Sequence, residues 1–209
     1  MQKANHRRWQ PALLAFLLLA VLAVVYAAFV RPWHAGWGAT AEEQRVALPG
    51  DALAVNPAAV TTRAVTIHAP PAVVWQWLVQ IGQGRGGWYS YDWMENLFAA
   101  DMHNANSIEP ALQTIAVGDP ILFTQMGLHA TVAAIEPQRA LVLDGGWTFY
   151  LQPVGEDSTR LIVRYFCKDN PAYYFTIFEP AHFVMESGMM LGIKRRAEGA
   201  SRPPTLGAR

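Results

Sequence analysis

Cysteine and charge are both scarce in this sequence of 209 residues. A single cysteine, Cys167, excludes an internal disulfide and every metal cluster built from several cysteines. Charged residues make up 15% of the chain, against roughly 25% in typical soluble domains. The shortage is local, because residues 11–30 hold 19 apolar residues and no charged one. The composition therefore indicates an ordinary globular domain plus one strongly apolar segment, and it excludes a disordered chain, a fibre and a multi-span membrane protein.

The charges that are present are unevenly spread. Residues 37–193 carry 7 basic and 15 acidic residues, whereas both ends of the chain are basic. Binding to nucleic acid requires a basic face on the folded domain, because the phosphates dominate the affinity. We therefore expect no nucleic-acid partner.

The apolar segment 11–30 is long enough, at 1.5 Å per residue, to cross a hydrocarbon core of about 30 Å. A cleaved signal peptide is the alternative, but its apolar stretch is normally only about 7–15 residues long. We expect a single transmembrane helix in the cell membrane, preceded by a basic flank at 1–10. Three basic residues before the segment and two after it favour a domain on the extracytoplasmic side. The basic residues of 194–209 favour the opposite orientation if they meet anionic lipid of the inner leaflet.

The rest of the chain divides into a linker at 31–60 that has room to pack on the domain, a folded domain at 61–198 and a basic, disordered tail at 199–209. Residues 61–68 alternate like a strand. Pro70 and Pro71 then open a helix with one apolar stripe, which consists of Val74, Trp77, Leu78 and Ile81.

Five further strands follow, and a long helix over 180–198 ends the domain. The strands are predicted at 120–124, 128–136, 140–144, 147–153 and 159–168. Short turns separate them, so neighbours pair antiparallel, and the apolar C-terminal helix covers one face of the sheet. Gly188 and Gly192 leave one side of that helix bare, which allows either close packing or space for a ligand.

Four stretches resemble a known superfamily. They are TIHAPPAVVW at 66–75, QGRGGWYSYDW at 83–93, WGAT at 37–40, and FVME at 183–186 with GIK at 192–194. They resemble the START/birch-pollen-allergen-like (SRPBCC) superfamily of polyketide cyclases/dehydrases and lipid-transport proteins, in a bacterial subgroup with an N-terminal membrane helix. The resemblance covers roughly 37–198. It implies an α+β helix-grip fold, in which a curved antiparallel sheet wraps around the long C-terminal helix with a cavity between them.

Residues 88–96 form the densest group of aromatic and polar side chains. Aromatic rings supply apolar area for a ligand, while Tyr hydroxyls and carboxylates orient a polar end. The alternative is a small secondary core whose polar atoms bond to backbone. The predicted ligand-binding residues, with two from the facing helix, are Trp88, Tyr89, Tyr91, Asp92, Trp93, Asn96, Met185 and Met189. If the protein is an enzyme, Tyr91 and Asp92 are the acid–base candidates, with Tyr89 beside them.

The remaining motifs do not indicate a dinucleotide, metal or nucleophilic site. Residues 82–87 match G-x-G-x-x-G, but a helix precedes them and no βαβ unit surrounds them, which favours a loop rather than a dinucleotide site. Asp101, His103 and Glu109 lack metal-ligand spacing and read as an exposed loop. Cys167 falls on the apolar face of its strand and reads as a buried thiol. No metal or cofactor is expected.

We therefore expect a membrane-anchored module that binds an apolar or amphipathic, lipid-like small molecule between sheet and helix. A cyclase/dehydratase-type enzyme that uses the same cavity is the second reading, and a structural protein with a collapsed cavity is the third. A large void with buried titratable groups favours the enzyme, a large void without them favours the carrier, and no void favours the structural protein.

Overall fold

The computed structural model describes residues 6–167 and 178–200, with side chains described from residue 10. The chain divides into two compact units between Ala35 and Gly36. Most of the predicted tail, the start of the basic flank and the predicted strand end Lys168 lie outside the described residues.

The first unit is a helix. It consists of α1 (His6–Val25), a π-helical stretch (Tyr26–Val30) and α2 (Arg31–Ala35). The apolar helix runs over the 26 residues Gln10–Ala35, an 18-residue stretch of it has a mean hydropathy of 2.9, and its apolar side chains are exposed. Within the described part of the chain it is the one helix long and apolar enough to cross a membrane.

The second unit is built on a six-stranded antiparallel sheet in the order β1-β6-β5-β4-β3-β2. The strands are β1 (Ala59–Ile67), β2 (Pro120–Leu122), β3 (His129–Glu136), β4 (Ala140–Leu143), β5 (Trp147–Pro153) and β6 (Thr159–Cys167). The first strand pairs with the last, and every other pair is consecutive in sequence. Each predicted strand is present within about two residues of its predicted ends, because the alternating apolar pattern and the turns between strands are both local signals.

Among its described residues this unit also has three α-helices, α3 (Pro71–Val79), α4 (Asp92–Asn96) and the long α5 (Glu179–Ala200), and short 3-10 helices at Asp51–Leu53 and Pro110–Leu112. The predicted stripe of α3 is confirmed, since Val74, Trp77 and Leu78 are buried and Ile81 follows them into the core. The same core takes in Met189, Met190 and Ile193 of α5 and the inward side chains of the sheet. The fold is the predicted α+β helix-grip arrangement, preceded by an apolar helix.

Residues 36–53 pack on the outer face of the sheet. Arg160 of β6 donates to the Glu43 carboxylate at 2.7 and 2.9 Å, and these hydrogen bonds lower the pKa of Glu43. Arg164 bonds the Asp51 carboxylate at 2.7 Å, and Leu48 packs on this face with Ala64. The region predicted as a linker is therefore ordered over much of its length and covers part of the sheet.

The two glycines of α5 serve close packing. A Cβ on Gly192 would lie 2.0 Å from the backbone oxygen of Tyr89, and a Cβ on Gly188 would lie 2.7 Å from the Ser90 hydroxyl. The helix thus packs against the loop at 89–91 rather than against the sheet at these positions. Of the two readings of this bare helix face, the structure shows close packing.

Leu78→Asp tests the core assignment of α3. Leu78 is fully buried, so the substitution places an unpaired charge in the core. It should lower the free energy of unfolding by several kcal/mol, whereas a typical domain has roughly 5–15 kcal/mol in total. Gln76→Asp on the exposed face of the same helix should cost well under about 1 kcal/mol. Thermal unfolding of both variants measures the difference, and equal melting temperatures would contradict the assignment.

Candidate ligand-binding cavity

A cavity of about 460 Å³ lies between the sheet, α4 and the first half of α5. Its lining residues are Trp88, Ser90, Glu95, Phe123, Leu128, His129, Ala130, Gly145, Trp147, Tyr165, Phe178, Ala181, His182, Met185, Glu186 and Met189. Four of them are solvent-exposed and mark its mouth, namely Leu128, His129, Gly145 and Ala181. Most of the wall is aromatic or aliphatic, so the space suits an apolar molecule.

Three stacked rings form one wall. Trp88 lies 5.1 Å from Phe123 and 5.2 Å from Trp147, with interplanar angles of 13° and 11°. Both indole N–H groups are already engaged, since Trp88 donates to the Leu122 carbonyl at 3.0 Å and Trp147 donates to the Glu186 carboxylate at 2.8 Å. The wall therefore presents ring faces and offers no free donor from these two residues.

A buried ion pair lies behind this wall. Arg63 of β1 donates to Glu186 of α5 at 2.8 Å, and neither side chain is accessible to solvent. The other carboxylate oxygen of Glu186 accepts the indole N–H of Trp147. Since an unpaired buried charge is costly, this geometry locks β1, β5 and α5 together at one point.

His182 lies one turn before Glu186 on α5, and its ring lines the cavity. Its Nε2 is 3.3 Å from the Glu186 carboxylate, and its ring packs on Tyr165 at 4.6 Å and on Phe178 at 5.3 Å. Burial lowers the pKa of His182 to about 4, with Arg63 acting in the same direction and Glu186 in the opposite one. The imidazole is therefore neutral near pH 7, so this part of the wall carries no added charge.

Glu95 of α4 is the other carboxylic acid, besides Glu186, among the described residues that line the cavity. Burial, with a smaller contribution from the neighbouring Asp92 carboxylate, raises its pKa to about 7. Its Oε2 atom is buried and has no hydrogen-bond partner in the described residues. Near neutral pH this carboxyl is therefore partly protonated, which lowers the negative charge at the cavity edge.

The structure brings three of the predicted ligand-binding residues together. Trp88 from the loop before α4 faces Met185 and Met189 of α5 across the cavity. Tyr89 lies in the core instead, where its hydroxyl donates to the Trp77 carbonyl at 3.1 Å and burial raises its pKa to about 12. The backbone of Tyr89 is in the left-handed region, with a φ of 58°.

The other predicted residues lie outside the cavity. Tyr91 and Trp93 are 43% and 62% exposed, and the Asp92 carboxylate accepts the backbone N–H of Trp93. Asn96 makes two hydrogen bonds to the backbone of Met102, which fix the loop after α4. Neither acid–base candidate of the sequence, Tyr91 or Asp92, lines the cavity.

Sequence reasoning missed the groups behind the cavity wall. Arg63 lies on the same face of β1 as Val65 and Ile67, which both pack in the core. An arginine on an apolar strand face and Glu186 on the apolar side of a helix are each unexpected alone. Taken together, two opposite charges placed on core faces are the signal that predicts a buried pair.

The remaining motifs stay structural. Residues 82–87 form a tight loop closed by paired backbone bonds between Gly82 and Gly87, with no strand before it. Asp101 and His103 contact each other at 3.1 Å on the surface. Cys167 is buried, as its strand pattern predicted.

Comparisons with solved structures gave matches of low similarity. A conserved protein of unknown function from Enterococcus faecalis is 13% identical over 74% of this chain and 80% of its own, with a TM-score of 0.43. The self-sacrificing resistance protein CalC from Micromonospora echinospora is 10% identical over 68% and 95%, with a TM-score of 0.41. The Polyketide_cyc-like protein Cgl2372 from Corynebacterium glutamicum is 14% identical over 71% and 97%, with a TM-score of 0.37.

No family model matches the chain, and the search of curated proteins gave no match.

Removing one partner of the buried ion pair should be more damaging than removing both charges. Arg63→Met leaves an uncompensated carboxylate and should lower the free energy of unfolding by about 3–5 kcal/mol. The double variant Arg63→Met/Glu186→Gln keeps an acceptor for Trp147 without a buried charge, so it should be more stable than Arg63→Met. Chemical denaturation of the single and double variants measures this coupling. Losses that simply add would contradict the pairing.

Proposed function

We propose that this protein binds a small, largely apolar molecule in the cavity between the sheet and α5, and that it does so while anchored in a membrane. The observation that carries the proposal is the cavity of about 460 Å³ with its aromatic and aliphatic wall. Its volume falls in the range of roughly 300–1,000 Å³ that is typical of small-molecule sites.

Several polar groups of the wall support an apolar ligand because they are engaged with the protein, whereas Glu95 Oε2 and His182 Nδ1 are buried without a hydrogen-bond partner among the described residues. The Glu186 carboxylate is shared between Arg63 and Trp147. The Ser90 hydroxyl donates to the Met185 carbonyl at 2.8 Å. A ligand therefore gains mainly from burying apolar surface, which contributes roughly 25 cal/mol per Å². A lipid-like molecule with few polar groups fits this wall better than a charged one.

Membrane anchoring rests on the apolar helix that precedes the domain. Residues 10–35 are long and apolar enough to cross a bilayer, and the second unit begins at the next residue. The excess of basic residues before the helix supports a domain on the extracytoplasmic side. An anchored binding module would draw an apolar ligand from the membrane rather than from water.

Catalysis is the second candidate function, and the contact between His182 and Glu186 at the cavity wall favours it. From the sequence, a large void with buried titratable groups is expected to favour an enzyme, and this cavity has such groups in His182 and Glu186. The neutral imidazole of His182 is able to accept a proton. Glu186 already accepts hydrogen bonds from Arg63 and Trp147. A carrier releases the compound that it binds, whereas a cyclase or dehydratase releases a different one.

Closing the mouth should abolish binding. Ala181 is exposed and lines the cavity, so Ala181→Phe places a ring in the opening without disturbing the core. N-phenyl-1-naphthylamine, an uncharged apolar probe, should quench tryptophan fluorescence by energy transfer from Trp88 and Trp147 in the wild type. We expect this quenching to be lost in Ala181→Phe.

Two controls accompany this measurement. Val184→Phe adds the same ring on an exposed position of α5 that does not line the cavity, and it should bind like the wild type. Tyr91→Ala should also bind normally, because Tyr91 lies outside the cavity. Equal quenching in Ala181→Phe and Val184→Phe would show that the probe binds elsewhere and would contradict the proposal.

A further inference from the structure

Five large apolar side chains are exposed to solvent on two segments that each contribute a residue to the cavity lining. We call them the mouth rim: Trp93, Leu97, Phe98, Met126 and Leu128. Their exposed fractions run from 62% to 77%. Single exposed apolar residues are normal on a protein surface, but a contiguous group of this size marks an interaction site.

The rim comes from two segments that are held together. One is α4 with the turn after it, and the other is the turn between β2 and β3. Gln125 joins them, because its backbone N–H donates to the Ala100 carbonyl at 3.2 Å and its side chain donates to the Ala99 carbonyl at 3.0 Å. Each segment also lines the cavity, through Glu95 and Leu128 respectively. The rim is therefore continuous with the entrance to the binding site.

The charges of the two rim segments indicate which kind of partner the mouth rim can bind. Residues 91–101 and 123–129 contain no lysine or arginine, and the first segment holds three acidic residues. A surface that bound anionic lipid headgroups or nucleic acid would carry basic residues. This rim is suited to apolar contact instead, with a tryptophan of the kind that settles at the membrane–water interface.

We propose that the mouth rim inserts into the interfacial region of a zwitterionic bilayer, so that the apolar ligand passes between the lipid phase and the cavity without crossing water. The inference rests on the proposed function, since it needs both an apolar ligand and an anchored chain. The apolar helix ends at Ala35 and the domain begins at Gly36, so an anchored domain stays at a bilayer surface.

A second copy of the chain is the competing occupant of this surface. A standard protein–protein interface uses roughly 20–30 residues on each side. The rim supplies five large apolar side chains from two short segments. Shallow insertion of a few exposed apolar and aromatic residues is sufficient for interfacial binding. The small size of the rim therefore favours the lipid surface.

The test uses the full chain in phosphatidylcholine vesicles, with an environment-sensitive fluorophore attached at Leu97→Cys or at Met126→Cys. Both positions are more than 70% exposed, so the label leaves the core intact, and the native Cys167 is buried. Lipids that carry a spin label on the acyl chain quench a fluorophore that enters the bilayer. We expect severalfold stronger quenching at both rim positions than at a control site.

Glu156→Cys provides that control. Glu156 is exposed in the turn between β5 and β6, at the opposite end of β5 from the cavity mouth. The seven residues of β5 place it on the order of 20 Å away at about 3.3 Å per residue. Quenching at the rim together with none at position 156 supports insertion of the mouth.

Flotation of the same samples reports the anchor separately. If the chain floats with the vesicles but the rim labels are quenched no more than the label at 156, the rim inference is overturned and the anchor stands. If the chain does not float, the anchoring part of the proposed function is overturned together with the inference. A rim label whose emission shifts with protein concentration, without quenching by spin-labelled lipid, overturns the inference in favour of contact between copies.

Discussion

The buried ion pair between Arg63 and Glu186 is the constraint on which the binding site depends. Two charges with no solvent access are tolerable only when they meet each other with good geometry, because desolvation costs several kcal/mol for each ion. The pair fixes where α5 crosses the first strand, and the bond from Trp147 fixes the fifth strand against the same carboxylate. The helix is thus held over the sheet at this point, and the cavity is the space between them on one side of it.

The fold could be predicted from the sequence because its signals are local. The apolar stripe of α3 and the turns that separate the strands are each signalled within about ten residues, and both agree with the structure. The buried pair could not be predicted in the same way, since Arg63 and Glu186 are 123 residues apart. The period of each element places a charge on its core face, but the helix buries Glu179 as well as Glu186, so the pattern alone does not indicate which carboxylate meets Arg63.

The candidate site could be predicted only in part, for the same reason. Trp88, Met185 and Met189 reach the cavity, but a dense aromatic stretch does not reveal which rings face inward. The backbone at Tyr89 is left-handed and the Tyr89 ring lies in the core. The next two rings in the sequence, Tyr91 and Trp93, are exposed on the surface. The packing of residues 36–53 on the sheet could not be predicted from the sequence either. Its main contacts are made by Arg160 and Arg164, and a strand pattern assigns these two arginines to solvent.

The central claim is that an apolar molecule occupies the space between the sheet and α5. Among the seven methionines, Met185 and Met189 line the cavity, while Met102 and Met190 are buried elsewhere in the core. The most direct measurement is the set of nuclear Overhauser effects between N-phenyl-1-naphthylamine and methyl-labelled methionines of the full chain in nanodiscs. The account predicts contacts to the Met185 and Met189 methyl groups and none to Met102 or Met190. Contacts confined to other methionines would contradict the account. So would the absence of contacts to Met185 and Met189 at a probe concentration that saturates the protein.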